Sequence, residues 1–342
     1  MNKGIIIVAI LVIASIIIGY YYYAINTVQQ VKTITIFCAG SLTIPLEKLA
    51  KTYTQQTKVN VQIVPSGSLM VIRKVTELHE NPDIVAVADY RLIKYYLYPN
   101  YTKWYIAFAT NQVVLVFTKH SKYAEELEKN PSKWYEILAR PGVKWGFSNP
   151  NDDPCGYRAV GIIGLATLYY HNKTIIDTLI VKNTNIRYKI SNDKIEIYVP
   201  ENLTVHNNLV IRPKSVDLIS LLESGQLDYA FEYKSVAVQH NLSYIELPPQ
   251  LNLGDPSQAG FYAKSIVYVM AGTSQEKPIV MAPILYGVTI LDNAKHYQEA
   301  LKYVEMLLGS TGREIFSQCG QKILDHPLVY GNPPEEIKRI AG

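Results

Sequence analysis

Small hydroxyl residues follow two apolar segments of this chain at the same kind of junction. AGSLTIPLEKL follows the apolar run VKTITIFC, and SGSLMVIRKVTEL follows VNVQIV. Each pattern predicts a strand that ends in Gly and Ser and turns directly into a helix, because apolar residues recur at helical spacing after the turn. Helix starts carry unpaired N–H donors and a partial positive charge, so Ser41 and Ser68 are candidates to hold an anion.

Two further apolar segments end in residues that could bind an ion. KWGFSN leads into the turn PNDDPCG, which contains Asp153, and LDYAFEY ends in Glu232 and Tyr233. In an open α/β sheet, ligands bind beyond the carboxyl ends of the strands. Four junctions of this kind favour a binding site over unrelated turns.

Ser41 also has a simpler explanation. Ser is a leading N-cap residue, so Ser41 taken alone is better explained as the cap of the helix that follows it. The recurrence of similar junctions along the chain shifts the interpretation toward an anion site.

Strands and helices must alternate to bring these junctions together. TITIFC, VNVQIV and DIVAVA are predicted strands separated by two helices, which is typical of an α/β fold with a parallel sheet covered by helices. YKISNDKIEIYV predicts an inserted β-hairpin, and SVDLISLLESGQ predicts an amphipathic helix that ends at Gly225. KPIVMAPILYGVTIL predicts a strand, and AKHYQEALKYVEMLL predicts a helix that ends at Gly309.

Composition bounds the class of protein. The chain has 342 residues, 48% of them hydrophobic and 18% charged, which is enough for two domains with sizeable cores. The net charge is only +4 and no basic run occurs, so nucleic acid is not a predicted partner. Cys38, Cys155 and Cys319 lack zinc-site spacing, and their odd number excludes a fully paired disulfide framework. Cys38 is predicted to be a core residue at the end of a strand.

The N-terminus carries a targeting or anchoring segment. Residues 4–19 form an uncharged apolar run behind Lys3, with the length of a signal peptide or a short membrane anchor. We assign residues 1–32 to this segment and a tether. The rest of the chain is expected at the extracellular face of the cell membrane, either anchored or secreted.

Several blocks together resemble a known family. AGSLTIPLEKL, SGSLMVIRKVTEL, NDDPCGYR and EYKSVAVQH are similar to the archaeal tungstate/molybdate-binding proteins, the extracellular solute receptors of ABC importers. The resemblance runs from about Thr33 to the C-terminus. It implies a type II periplasmic-binding-protein fold, in which two α/β lobes joined by a hinge hold an oxyanion in the cleft between them. The lobe boundaries that it implies are 33–112 with 255–342 for lobe 1 and 113–254 for lobe 2.

The resemblance also implies which residues contact the oxyanion. They are Ser41, Leu42 and Ser68 of the first lobe and Asp153, Pro154, Cys155, Ser215 and Tyr233 of the second. The chain departs from the family at one point, because a second carboxylate is expected at the position of Ser215. Glu232 stands just before the Tyr and could supply that carboxylate. We therefore predict Asp153 and Glu232 as the residues that face the metal atom of the oxyanion.

Each of these second-lobe residues has an alternative role. Asp153 is also typical of a turn or helix cap, and Ser215 is most simply the N-cap of the helix SVDLISLL. Glu232 could pair with Lys234 or Arg158 instead of a ligand. Tyr233 could be one more core aromatic residue, although a buried hydroxyl needs a partner.

The chemistry of the ion fits this mixture of groups. Tungstate and molybdate are dianions, which hydroxyl and backbone N–H groups bind by donating hydrogen bonds. An ionised carboxylate repels such a dianion unless its oxygen bonds the metal atom, which tungsten and molybdenum accept by expanding a tetrahedral shell. Sulfur in sulfate does not readily do this, so carboxylates in the cleft would reject sulfate.

The predicted function follows from these points. We expect a monomeric extracellular solute-binding protein, without cofactor or catalysis, that captures tungstate or molybdate and delivers it to the permease of an ABC importer. A binding protein for another oxyanion, such as sulfate or phosphate, is the closest alternative. A hydrolase or a phosphate-binding-loop enzyme is disfavoured, because the chain has neither a G-x-S-x-G nor a G-x-x-x-x-G-K-[ST] motif.

Overall fold

The computed structural model describes residues 4, 12–20 and 32–341. Its strands are β1 (Thr33–Ala39), β2 (Asn60–Ser66), β3 (Ile84–Val87), β4 (Trp104–Thr110), β5 (Val113–Phe117), β6 (Trp145–Ser148), β7 (Arg187–Ser191), β8 (Lys194–Pro200), β9 (Leu209–Arg212), β10 (Tyr229–Tyr233), β11 (Ser243–Glu246), β12 (Ser265–Ala271), β13 (Lys277–Val280), β14 (Leu285–Ile290) and β15 (Lys322–Gly331).

The helices cover these strands. They are α1 (Thr43–Thr57), α2 (Ser68–Thr76), α3 (Ala124–Lys129), α4 (Trp134–Leu138), α5 (Pro154–Tyr169), α6 (Thr174–Ile176), α7 (Ile219–Glu223), α8 (Lys234–Gln239), α9 (Ala259–Tyr262), α10 (Tyr297–Leu308), α11 (Ser310–Gln318) and α12 (Glu335–Ala341). Short 3₁₀ segments precede several of them, including Gly40–Leu42 before α1 and Ser215–Leu218 before α7.

Two larger sheets organise the molecule. One has six strands in the order β15-β4-β14-β3-β1-β2, and the other has five in the order β11-β5-β10-β6-β9. β1 is parallel to β2 and β3 because α1 and α2 cross between them, whereas β14 runs antiparallel to β3 and β4. The predicted parallel arrangement is correct for β1, β2 and β3, but the sheet as a whole is mixed, since β14 and β15 run in the opposite direction.

A third sheet of four strands has the order β13-β12-β8-β7. The predicted hairpin is confirmed as the antiparallel pair β7 and β8, and β12 joins it in parallel with β8. This sheet packs against α5. The lobe boundaries stay a prediction, and β12 and β13, from the segment 255–342, lie in this third sheet and not in the six-stranded one.

Several local predictions can be compared with the structure. Cys38 is buried in β1 and α10 ends just before Gly309, as predicted. The helix predicted in SVDLISLLESGQ begins as a 3₁₀ turn before α7. KPIVMAPILYGVTIL is two strands of different sheets, because Pro283, which has no N–H for a sheet ladder, lies between β13 and β14.

Most of the predicted signal or anchor segment 1–32 lies outside the described residues. Residues 12–20 are helical and mostly exposed. Within the part of the chain that the structure describes, no helix combines the length and the apolar character needed to cross a membrane.

Candidate functional site

Five helical segments begin where the two larger sheets face each other. They start at Gly40, Ser68, Pro154, Ser215 and Lys234, and each is the next helical segment after β1, β2, β6, β9 and β10, respectively. These are the carboxyl ends of strands, and the first turns of helices present N–H donors there. The arrangement favours binding of an anion.

The predicted site residues are all buried at this place. The set is Ser41, Leu42, Ser68, Asp153, Pro154, Cys155, Ser215, Glu232 and Tyr233. The structure shows where these residues lie and which contacts they make with one another. Their contact with a ligand stays a prediction. Pro154 has no N–H and cannot donate to an oxyanion through its backbone.

The two serines of the six-stranded side do not act as helix caps. Ser41 lies inside the 3₁₀ segment, which begins one residue earlier, and its Oγ is 3.1 Å from the hydroxyl of Tyr286. Ser68 is the first residue of α2, and its Oγ accepts a hydrogen bond of 3.0 Å from the backbone N–H of Ala88. Both hydroxyls are thus used by contacts other than capping, contrary to the cap explanation of Ser41.

Asp153 joins two helix starts. It is the N-cap of α5, where its Oδ1 accepts from the Cys155 N–H at 3.4 Å, so the capping role is present. Its Oδ2 accepts from the Ser215 N–H at 2.8 Å. Burial raises the pKa of Asp153 to about 6, although the Ser215 N–H opposes that shift.

Glu232 lies at the centre of the buried polar residues. Its Oε1 accepts hydrogen bonds from the Tyr233 N–H at 2.7 Å and from the Ser215 Oγ at 2.9 Å, and the Cys155 thiol is 3.9 Å away. Its Oε2 is buried and has no hydrogen-bond partner among the described residues. One oxygen of this carboxyl is therefore held in place while the other is left available.

The surroundings of Glu232 disfavour its charge. Burial raises its pKa to about 8, and the nearby Asp153 contributes in the same direction. Neither of the ion pairs considered from the sequence is present, because Lys234 binds Glu246 and Arg158 faces Asp89. Ser215 does not cap its helix and instead donates to Glu232.

The Tyr233 hydroxyl contacts a buried cation, Arg158. From the sequence alone, Arg158 was considered only as an ion-pair partner of Glu232. The Arg158 Nη1 donates to the Tyr233 hydroxyl at 2.6 Å and to the Ala88 carbonyl at 2.8 Å. Burial raises the pKa of Tyr233 well above its usual value, so the phenol keeps its proton. Tyr233 is thus more than a core aromatic, since its buried hydroxyl has Arg158 as a polar partner.

A second charged group lies beside Arg158. Asp89 accepts from Tyr157 at 2.8 Å and forms an ion pair of 2.6 Å with Arg91. Burial would raise the pKa of Asp89, but the charges of Arg91 and Arg158 outweigh burial and lower it to about 2. Asp89 follows the buried strand β3, so the rule that singled out the other strand ends would also have found it.

Tyr286 and Asn111 complete the site from distant parts of the chain. The Asn111 Nδ2 donates to the Tyr286 hydroxyl at 3.2 Å and to the Ser235 Oγ at 2.7 Å. The Tyr286 ring packs edge-to-face on Tyr233, with ring centres 5.7 Å apart. No local sequence signal marks Tyr286, which comes from the interior of β14.

The two sides of the site are in direct contact. The Leu69 N–H donates to the Asp152 carbonyl at 3.0 Å, and Arg73 forms a 2.9 Å ion pair with the Asp152 carboxylate. At Gly67 a Cβ would lie 2.4 Å from the same carbonyl, so only glycine permits this approach. These contacts hold the two sides together beside the buried residues.

The donor set suits an anion and not a metal cation. Among residues 4, 12–20 and 32–341, no group of three or more His, Cys, Asp or Glu side chains is arranged to hold a metal ion. Hydroxyl groups and helix starts surround the carboxyls instead. This combination can donate several hydrogen bonds to an oxyanion while offering oxygens that could bond its central atom.

Comparison with known proteins identifies the family. The model of the bacterial extracellular solute-binding proteins matches residues 34–321. The chain belongs to this family. An uncharacterized solute-binding protein of Staphylothermus marinus is 58% identical to this solute-binding protein, over 97% of this chain and 94% of the relative.

A second relative carries a more specific name. The molybdate/tungstate-binding protein of Thermococcus kodakarensis is 49% identical over 92% of this chain and 89% of its own. The resemblance inferred from the sequence blocks is thereby confirmed.

A solved structure confirms the fold class. The periplasmic molybdate-binding protein of Azotobacter vinelandii is 15% identical, has a TM-score of 0.56, and aligns over 85% of this chain and all of its own, 100%. At this identity the likeness shows the fold alone. It confirms the predicted two-lobed periplasmic-binding-protein architecture.

Proposed function

We propose that this solute-binding protein captures tungstate or molybdate outside the cell membrane and delivers it to the permease of an ABC importer. The observation that carries the proposal is the buried pair of acids, Asp153 and Glu232, bridged by Ser215 and surrounded by hydrogen-bond donors. The Thermococcus kodakarensis relative, named for the same two ions, supports the choice of ligand.

The unpartnered oxygen of Glu232 supports direct contact with the metal atom. A buried carboxyl oxygen without a partner costs free energy in the empty protein, which a bond to tungsten or molybdenum would offset. We propose that Glu232 takes the role that the family resemblance assigns to the position of Ser215. In this arrangement Ser215 orients the new carboxyl by donating to its other oxygen.

The hydroxyl groups have a separate role. We propose that Ser41, Ser68, Tyr233 and Tyr286, all of them buried, donate hydrogen bonds to the oxygens of the bound dianion, which balances the cost of removing it from water. An ion held only by donors would be sulfate or phosphate as readily as tungstate. The acids are therefore the part of the site that discriminates between these anions.

Calorimetric titration with four anions tests the proposal. We expect tungstate and molybdate to bind residues 33–342 tightly and sulfate and phosphate to bind far more weakly, because only the first two accept carboxylate oxygens on the central atom. Equal or tighter binding of sulfate or phosphate would contradict the proposal and favour the alternative ligand class.

Alanine substitution of the two serines tests the hydrogen-bonding part of the site. We expect Ser41→Ala and Ser68→Ala each to weaken tungstate binding by roughly 1.5–3 kcal/mol, the usual cost of losing a hydrogen bond to a charged group. Ser220→Ala is a matched control, since Ser220 is exposed and, among the described residues, its hydroxyl donates only to the Asp217 carbonyl, at 3.5 Å. Wild-type affinity together with a lower melting temperature would show that these serines are only structural.

A further inference from the structure

Arg158 is a buried cation that the proposed oxyanion contacts do not use. It lies near the start of α5 and is 2% exposed. Its Nη1 donates to the Tyr233 hydroxyl and to the Ala88 carbonyl, and its Nη2 is 3.5 Å from Asp89. The side chain therefore connects a predicted ligand residue of the five-stranded sheet to the backbone of the six-stranded side.

Neutralising Asp89 does not account for this position. Arg91 already binds both oxygens of Asp89, through Nε at 3.0 Å and Nη2 at 2.6 Å, and Tyr157 donates to it at 2.8 Å. Arg158 is farther from Asp89 than either of these groups. Its shortest hydrogen bond, 2.6 Å, goes to Tyr233.

The contact fixes the direction in which the Tyr233 hydroxyl donates. A phenol has one hydrogen, and a guanidinium is only a donor, so Tyr233 must accept from Arg158 and keep its hydrogen for another group. Among residues 32–341 the Tyr233 hydroxyl makes no other hydrogen bond. Its hydrogen therefore has no acceptor among those residues and is available to a ligand.

The same orientation extends to Ser68 on the other side. Arg158 donates to the Ala88 carbonyl, and the N–H of Ala88 donates to the Ser68 Oγ. Ser68, like Tyr233, therefore accepts a hydrogen bond from behind and has its own hydrogen available. Tyr233 is thus linked to Ser68 through Arg158 and the backbone of Ala88, by three hydrogen bonds in all.

We propose that Arg158 is a positioning residue that sets Tyr233 as a hydrogen-bond donor to the oxyanion and holds it in register with Ser68 across the closed cleft. The inference rests on the proposed function and deepens it. Arg158 itself does not touch the ligand, and its positive charge lies behind the hydroxyl that does. The site is thereby prepared for an ion that only accepts hydrogen bonds.

A double-mutant cycle tests this role. Tyr233→Phe should weaken tungstate binding about ten- to a hundred-fold, and Arg158→Met should weaken it at least as much, because both remove the same oriented donor. If Arg158 acts through Tyr233, the double variant binds as the weaker of the two single variants does. Effects that multiply would overturn the proposal, since Arg158 would then act independently of Tyr233.

Tyr157→Phe supplies the matched control. Tyr157 neighbours Arg158 on α5 and also donates across the cleft, to Asp89, without contacting Tyr233. The effects of Tyr157→Phe and Tyr233→Phe on tungstate affinity should multiply in the double variant. This result would distinguish the positioning role of Arg158 from a merely structural disturbance of α5. If the wild-type protein fails to bind tungstate, the proposed function and this inference are both overturned. If the wild-type protein binds tungstate but the effects of Arg158→Met and Tyr233→Phe multiply, only the inference is overturned.

A structure of the wild-type protein with tungstate decides the case where Arg158→Met does not fold. We expect the Tyr233 hydroxyl within hydrogen-bond distance of a ligand oxygen while it still accepts from Arg158. An Arg158 nitrogen bound directly to the oxyanion, or a Tyr233 hydroxyl turned away from it, would contradict the positioning role.

Discussion

Replacing Glu232 with Gln is expected to weaken tungstate binding by at least about a hundred-fold. This loss of affinity is larger than the one usually caused by replacing a residue that only orients a metal ligand. The substitution is nearly isosteric. The Gln carbonyl oxygen can still accept from the Tyr233 N–H and the Ser215 hydroxyl, as Glu232 Oε1 does. Only the unpartnered Oε2 is exchanged, for an amide nitrogen that cannot bond to tungsten. The melting temperature of the empty protein should therefore change little.

The same variant should also bind sulfate better than the wild-type protein does. The pKa of Glu232 is raised to about 8 by burial, so titrations above that pH compare an ionised carboxylate with a neutral amide. Removing that negative charge removes the repulsion of a tetrahedral dianion. Glu246→Gln is the control, because Glu246 is an exposed acid of the same sheet that pairs with Lys234. Unchanged affinities for tungstate and sulfate in Glu232→Gln would place Glu232 outside the contact shell of the ligand.

Replacing Asp153 with Asn is expected to weaken tungstate binding to a similar degree and, unlike Glu232→Gln, to destabilise the empty protein. Both carboxylate oxygens of Asp153 accept backbone hydrogen bonds, from Cys155 and Ser215. An amide has only one acceptor, so its nitrogen would face a backbone N–H. Leaving such a buried donor unpaired costs about 1–3 kcal/mol.

Thermal unfolding and calorimetry on the same Asp153→Asn preparation separate the two roles. We expect a lower melting temperature without ligand and a smaller stabilisation by tungstate. Loss of stability with wild-type tungstate affinity would reduce Asp153 to the cap of α5. Loss of affinity alone would mean that the hydrogen bonds to Cys155 and Ser215 contribute little to folding.

The strand ends were the part of the site that could be predicted from sequence. Gly-Ser and Asp-Pro junctions after apolar strands are local signals, and the structure brings Ser41, Ser68, Asp153 and Glu232 together as buried residues. The resemblance to a family added Ser215, which no local signal distinguishes from a helix cap. The proposed move of the carboxylate from that position to Glu232 is compatible with the hydrogen bond between the two side chains.

The partners of these residues could not be predicted in the same way. Ser41 was best explained as a cap by local rules, but the helical segment begins one residue earlier and the hydroxyl contacts Tyr286, 245 residues away in sequence. Lys234 is next to Tyr233 in sequence yet binds Glu246 on β11, which is separated from β10 by β5 in the sheet. Such contacts depend on which strands become neighbours in the sheets, and propensity and spacing do not determine that.

X-ray absorption at the tungsten edge of the complex tests the central claim most directly, because it reports the oxygen shell of the bound metal atom. Bonds from Asp153 and Glu232 to the tungsten predict an expanded, octahedral oxygen shell, and Glu232→Gln should lower the number of oxygens in it. A tetrahedral shell like that of free tungstate, in the wild-type protein at saturation, would contradict the account and leave a site that holds its ion by hydrogen bonds alone.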